Sequence, residues 1–92
     1  MKYDVIIKNS CKKDIKRAQK QGKNLTLLFE IVDQLSEGKT LDPKYKDHKL
    51  SGDYEGKREC HIEPDFLLVY QIVKSVVILY LIRVGSHSEI YK

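Results

Sequence analysis

Features that would point to several common protein classes are missing from this 92-residue chain. Its two cysteines, Cys11 and Cys60, are too far apart for a CxxC redox motif or half of a zinc finger, so we expect two unpaired thiols. The longest apolar segment, residues 76–84, has nine residues and includes Arg83, whereas a membrane-spanning helix needs roughly 20. No signal-peptide pattern follows Met1. We therefore expect a single cytoplasmic domain, residues 1–92, with no membrane partner.

Positive charge is present in excess and is unevenly distributed. The formal net charge is +4, and residues 1–24 contain eight Lys or Arg against two acids. Such asymmetry favours a polyanionic partner, either a nucleic acid or an acidic protein segment. Lysine-rich surfaces are also common where a protein is simply exposed to solvent. The charge alone therefore does not indicate a particular function.

The N-terminal half predicts a strand followed by a helical hairpin. Tyr3, Val5 and Ile7 alternate with more polar residues, as in a strand with one apolar face. A first helix is predicted over residues 11–21, capped by Ser10, with a basic outer face of Lys12, Lys13, Lys16, Arg17 and Lys20. A second helix, capped by Asn24, is predicted to end before Gly38.

The C-terminal half predicts three strands after an extended loop. Residues 39–53 are typical of a loop, and residues 54–62, 66–73 and 76–84 form apolar segments. Their links are so short that only antiparallel hairpins fit. The overall expectation is an α+β fold of order β-α-α-β-β-β, with an antiparallel sheet, both helices on one face and the last strand central.

Three histidines in the C-terminal half are candidates for acid-base chemistry. Metal-free RNA cleavage needs a base for the 2′-hydroxyl proton, an acid for the leaving 5′-oxygen and positive charge for the transition state. Histidine suits the first two roles. Strand alternation places His61 beside Glu59, opposite the core-facing Cys60 and Ile62. One end of the sheet would collect these residues with Asp65, Arg83 and His87.

Other interpretations of the same residues remain open. His48 lies in a lysine-rich loop and can be plain surface, Asp65 follows Pro64 as an ordinary turn residue, and Arg83 can be an ion-pair partner. A metal site would combine His61 and Asp65 with either His48 or His87. No His-x-x-x-His pair and no Cys/His cluster supports that site, so no metal or other cofactor is expected.

Three stretches carry a resemblance to a known family. These are Tyr45-Lys46-Asp47-His48-Lys49-Leu50, Arg58-Glu59-Cys60-His61-Ile62-Glu63-Pro64-Asp65 and Arg83-Val84-Gly85-Ser86-His87. The chain resembles the YafQ group of the RelE/ParE toxin superfamily, whose β-α-α-β-β-β order is also the predicted one. The resemblance implies a RelE-like fold, similar to microbial ribonucleases, and a toxin that cleaves mRNA on the ribosome and is inhibited by a cognate antitoxin.

The resemblance also implies roles for individual residues. His87 would be the general acid, His48 or His61 the base, and Asp65 would orient a histidine or raise its basicity. Arg83, Tyr91 and Glu59 would contact the substrate, and the basic face of the first helix would contact ribosomal RNA. Glu59 replaces a shorter Asp and Tyr91 replaces Phe, so the role of Glu59 is the least determined. A ParE-like gyrase inhibitor and a non-catalytic binding module are the alternatives.

Overall fold

The computed structural model describes residues 2–91 as one sheet with helices. The strands are β1 (Asp4–Ile7), β2 (His48–Lys49), β3 (Arg58–Glu63), β4 (Phe66–Val73) and β5 (Ile78–Gly85). The helices are α1 (Asn9–Lys20), α2 (Leu25–Ser36) and the short α3 (His87–Ile90). Single 3-10 turns cover Pro43–Tyr45, Gly52–Tyr54 and Lys74–Val76. None of the helices described is both long and apolar enough to cross a membrane.

The sheet has the order β1-β5-β4-β3-β2 and is mixed rather than wholly antiparallel. Strands β2 to β5 pair antiparallel, as the short links require, but β1 runs parallel to β5. The expectation of an antiparallel sheet is therefore wrong at this edge. The helical hairpin between β1 and the rest of the sheet is long enough to allow either direction. The α+β class and the element order are confirmed, and β5 is interior because it pairs with both β1 and β4.

Apolar residues cover both faces of β4, the middle strand of the sheet. On the helix side, Leu28 and Ile31 of α2 pack in one core with Cys60 and Leu68. On the other side, Leu67 and Val69 form a smaller cluster with Ile90, joined by Leu50, Tyr54, Ile82 and Tyr91. The second cluster lies under the C-terminal residues and under the loop before β3. The fold therefore brings those two segments over the same face of the sheet.

Both cysteines lie in the helix-side core as free thiols. Burial raises the pKa of Cys11 and of Cys60 to about 12. Nearby carboxylates add to the effect, Asp14 for Cys11 and Asp47 for Cys60. The expectation of two unpaired thiols fits this placement.

Several element boundaries differ from the sequence expectation. Asn24 does cap α2, since its side chain accepts a hydrogen bond of 3.0 Å from the Leu27 amide. Ser10 does not cap α1, because the helix begins at Asn9, two residues earlier than expected, and Lys8 is its N-cap. The segment expected to begin at Tyr54 becomes a strand only at Arg58, after a turn. The loop over residues 39–53 contains the unpredicted strand β2, which pairs with β3.

Candidate active site

Two histidines converge on one carboxylate across the β2–β3 pair. His48 lies directly opposite Glu59 in the sheet, and His61 follows Glu59 on the same face of β3. The Nε2 atoms of His48 and His61 lie 3.5 Å and 3.4 Å from the same oxygen, Oε1 of Glu59. The two ring centroids are 6.2 Å apart. The carboxylate can therefore stabilise positive charge on either ring.

Glu59 is buried beneath the two rings, with 5% of its surface exposed. Its second oxygen, Oε2, accepts a short hydrogen bond from the hydroxyl of Tyr91. Burial, and then this bond to Glu59, raises the pKa of Tyr91 well above its usual value. Each carboxylate oxygen is thus engaged. Direct contact of Glu59 with substrate stays a prediction, and its burial favours action through the imidazoles.

A backbone carbonyl determines which ring nitrogen of His48 carries a proton. Nδ1 of His48 lies 2.7 Å from the carbonyl oxygen of Lys46. Because a carbonyl oxygen only accepts, Nδ1 donates, and in the neutral ring Nε2 is left without a proton. The lone pair of the neutral ring is therefore on the Nε2 edge, which also faces Glu59.

The residue before His48 is anchored to the sheet. Tyr70 donates a 2.6 Å hydrogen bond from its hydroxyl to Oδ1 of Asp47, and Arg58 donates to both oxygens of that carboxylate at 3.3 Å. Burial, and then the bond to Asp47, raises the pKa of Tyr70. The loop that carries His48 is therefore fixed to β3 and β4.

The third histidine begins α3 at the other end of this cluster. Its backbone N–H donates a 3.0 Å hydrogen bond to Oδ1 of Asp65 in the β3–β4 turn. The exposed ring of His87 lies 4.9 Å from the ring of Tyr91, measured between centroids, and Tyr54 makes an edge contact with Tyr91 at 5.4 Å. Asp65 thus contacts His87 through the backbone, while the carboxylate that faces the other two histidines is Glu59.

Of the remaining predicted residues, Arg83 lies on β5 and the basic residues lie on α1. Arg83 binds Asp14 through Nε at 2.6 Å, and about a quarter of its side chain is exposed. The exposed basic residues of α1 are Lys12, Lys13, Lys16 and Lys20. Arg17 was expected on the same outer face, but it turns inward and forms ion pairs of 3.0 Å with Asp14 and Glu89. The spacing of residues 10, 14 and 17 explains this, since it puts Arg17 on the helix face toward β5.

Comparison with known proteins identifies the family. A family model described as the bacterial toxin YafQ of type II toxin-antitoxin systems matches residues 3–92. The chain belongs to the YafQ toxin family. An mRNA interferase toxin YafQ from Escherichia coli K12 is 33% identical over 89 residues, which cover 96% of this chain and 95% of that protein.

Solved structures of similar proteins have the same fold. A metal-bound toxin from Helicobacter pylori is 45% identical, with a TM-score of 0.91 over 97% of this chain and 99% of that one. YafQ in the crystal structure of the E. coli DinJ-YafQ toxin-antitoxin complex is 31% identical, with a TM-score of 0.89 and full coverage of both chains. The resemblance inferred from the three motifs is confirmed.

Contacts that complete this YafQ-family site were missed from the sequence. They are the hydrogen bond between His48 and the Lys46 carbonyl, the edge contact between the rings of Tyr54 and Tyr91, and the hydrogen bond from Arg83 to the buried Asp14. The first two depend on how a loop folds over the sheet, and no periodic pattern signals that. Asp14 did carry a signal, because it is an acid within an otherwise basic helix and lies four residues after Ser10.

A groove of about 420 Å³ opens beside His61 in this YafQ-family protein. Leu27, Tyr45 and Pro64 contribute apolar surface. Lys44 and Lys46 supply positive charge, and Glu63 supplies one negative charge. Within residues 2–91, no three His, Cys, Asp or Glu side chains are grouped with the spacing of a metal site. The cluster therefore presents two imidazoles against one carboxylate, a third imidazole and nearby positive charge.

Proposed function

We propose that this chain is an endoribonuclease that cleaves mRNA during translation in the cytoplasm and is neutralised by a cognate antitoxin. The observation that carries the proposal is the convergence of His48 and His61 on Glu59, with His87 connected to the same carboxylate through Tyr91. The E. coli relative is named an mRNA interferase, and the E. coli YafQ structure is a complex with DinJ. Neither a gyrase inhibitor nor a simple binding module needs such a cluster.

His48 is the base that the geometry favours. Its Nε2 would take the proton of the 2′-hydroxyl, and the 2′-oxygen would then attack the adjacent phosphorus. Glu59 would stabilise the imidazolium that forms, because its Oε1 lies 3.5 Å from that nitrogen. His61 is the second candidate, since its Nε2 lies 3.4 Å from the same carboxylate oxygen.

His87 is the candidate acid at the opposite end of the cluster. As the phosphorus–oxygen bond to the 5′-oxygen breaks, its imidazolium would give that oxygen a proton, leaving a 2′,3′-cyclic phosphate and a 5′-hydroxyl. The exposed position of His87 on α3 is compatible with contact to a bound RNA strand. Asp65 holds the backbone of His87, and Tyr91 presents an aromatic face beside it for a base to stack on.

Positive charge would supply both transition-state stabilisation and ribosome binding. Arg83 is the predicted contact of the scissile phosphate, and its pairing with Asp14 limits how far it can move. The exposed lysines of α1 would bind the ribosomal RNA backbone in a salt-sensitive way. The groove beside His61 combines apolar walls with two lysines and the carboxylate of Glu63. The apolar walls suit a base, and the lysines suit its phosphate.

The antitoxin is proposed to bind through a segment that folds on the toxin. A flexible acidic or amphipathic segment can wrap a small basic domain and cover the catalytic end or the lysine face. Co-expression with the adjacent small reading frame should restore growth and yield a stable co-purified complex. If no neighbouring frame restores growth, this partner assignment is wrong.

The proposed mechanism uses no metal, although the H. pylori relative was solved with a metal bound. Acid, base and charge are all available from side chains, and the donor groups described do not form a metal cluster. Cleavage should survive removal of transition metals while magnesium is held constant to keep ribosomes intact. Loss of cleavage that zinc, copper or manganese restores would replace this mechanism with a metal-assisted one.

The decisive experiment maps mRNA 5′ ends after induced expression, with translation active and with translation blocked. Cuts in phase with codons that disappear when translation stops are the expected result. Cuts that persist without translation would contradict ribosome dependence. Growth arrest without cuts would contradict the nuclease assignment, and gyrase supercoiling assays would then test the ParE-like alternative.

A further inference from the structure

Three polar side chains of α1, those of Ser10, Asp14 and Arg17, form a stripe along β5. Ser10 and Asp14 bind the backbone of β5 in the part that extends beyond the end of β1. Strand β1 pairs with β5 only as far as Leu81, so the last residues of β5 extend past it. There the Ser10 hydroxyl donates to the Ile82 carbonyl at 3.0 Å, and the Val84 amide donates to Oδ2 of Asp14, also at 3.0 Å. The spacing of residues 10, 14 and 17 places the three side chains of the stripe on one face of α1.

Asp14 is the centre of this stripe and is 3% exposed. Besides the Val84 amide it accepts from Arg83, at 2.6 Å to Oδ2 and 3.2 Å to Oδ1, and from Arg17 at 3.0 Å. A buried carboxylate with two guanidinium partners is compensated only while the set remains complete. Asp14 therefore holds the end of β5 and Arg83 in one geometry.

The same residues extend to the helix that carries the candidate acid. Nη2 of Arg83 donates to the carbonyl of Glu89 at 3.4 Å, and Nε of Arg17 lies 3.0 Å from Oε2 of Glu89. Glu89 also forms a capping box with Ser86 at the start of α3. Two independent connections thus run from Asp14 to α3, one through Arg83 and one through Arg17.

The glycine before α3 leaves room for this network. A Cβ at Gly85 would lie 2.9 Å from Nη2 of Arg17 and 2.9 Å from Oε1 of Glu89, and its φ of +156° is one that L side chains rarely adopt. The Gly-Ser-His motif therefore combines space for the ion pair, a cap for α3 and the candidate acid.

We propose that Asp14 and Arg17 are positioning residues, which hold α3 so that His87 and Tyr91 face the His48–Glu59–His61 cluster. The proposal rests on the nuclease function proposed above. It gives Arg17 a different role from that of the exposed lysines on the same helix. Those lysines would act through charge, whereas Arg17 would act through the geometry of its guanidinium.

Arg17→Lys is the most direct test, because it keeps the positive charge and removes the planar guanidinium. We expect single-turnover cleavage on programmed ribosomes to slow by about 10- to 100-fold, since small misplacements of a catalytic group have effects of that size. Ribosome pelleting should be unchanged. Asp14→Asn should also slow cleavage, and Asp33→Asn, at an exposed carboxylate of α2, is the matched control. Wild-type cleavage by Arg17→Lys would overturn the proposal.

A spectroscopic measurement tests positioning independently of nuclease activity. In both variants the imidazole signals of His87 should shift and the amides of α3 should exchange faster with solvent, while the amides of β4 remain protected. Unchanged His87 signals and α3 exchange in Arg17→Lys would overturn the positioning role even if the wild-type protein proves to cleave no RNA. If Asp14→Asn does not fold, Arg17→Lys still tests the proposal. The Arg17 side chain is about 39% exposed, so we expect this variant to fold.

Discussion

Replacement of Glu59 by Gln removes the charge beneath the two imidazoles and puts an NH2 donor in the place of Oε1. Gln retains nearly the same shape and an oxygen that can accept from the Tyr91 hydroxyl. The variant therefore separates the negative charge from the packing of a residue that is 5% exposed. If Glu59 stabilises the imidazolium formed by the base, its neutralisation must slow the chemical step.

The size of the effect follows from the distances in the site. A unit charge on Nε2 of His48, 3.5 Å from Oε1, interacts with the carboxylate by about 4 to 5 kcal/mol at an effective dielectric constant of about 20. Water screens part of this, because about half of the His48 side chain is exposed. A remainder of about 1.4 to 2.8 kcal/mol corresponds to about 10- to 100-fold in rate.

The assay is single-turnover cleavage on programmed ribosomes, with thermal melts and ribosome pelleting for each variant. Glu55→Gln is the matched control, since it neutralises an exposed carboxylate near the same strand. A folded, ribosome-bound Glu59→Gln protein that cleaves at the wild-type rate would refute the electrostatic role of Glu59. Equal slowing in both variants would attribute the effect to net charge instead.

Three further predictions concern acid catalysis, acid stability and thiol reactivity. His87→Ala should slow single-turnover cleavage by about 10²- to 10⁴-fold with little change in melting temperature, because its side chain is exposed; a wild-type rate would leave the acid unidentified. Hydrogen bonds from the Ser86 backbone, then from Gln21, lower the pKa of Glu89 to about 2, below its unfolded value of about 4.3. Its carboxylate therefore stabilises the fold above a pH of about 4.3, and this effect is lost as the pH falls toward 2. In urea unfolding, the free energy of unfolding of the wild type should exceed that of Glu89→Gln at pH 7, and the two should be similar near pH 2. Cys11 and Cys60, buried and with pKa values raised to about 12, should resist iodoacetamide at pH 8 until urea unfolds the protein; rapid labelling of the folded protein would contradict their burial.

Local patterns in the sequence determined the two main helices, the longer strands and the identity of the family. The Asn24 cap, the apolar spacing of α2 and the short links of the C-terminal strands act between neighbours in the chain, so periodicity reveals them. The alternation in β3 also placed Glu59 and His61 on the face opposite Cys60. These features need no knowledge of distant parts of the chain.

Tertiary structure decided how the site is assembled. The two-residue strand β2 is too short to show a pattern, yet its pairing with β3 brings His48 to Glu59. The direction of β1 and the inward turn of Arg17 depend on where α1 packs against β5. The sequence made Glu59 a candidate, but it did not show that Glu59 is buried or that it binds the hydroxyl of Tyr91, 32 positions later in the chain. Contacts between residues so far apart depend on the packing of whole elements, and a local sequence pattern carries no information about that packing.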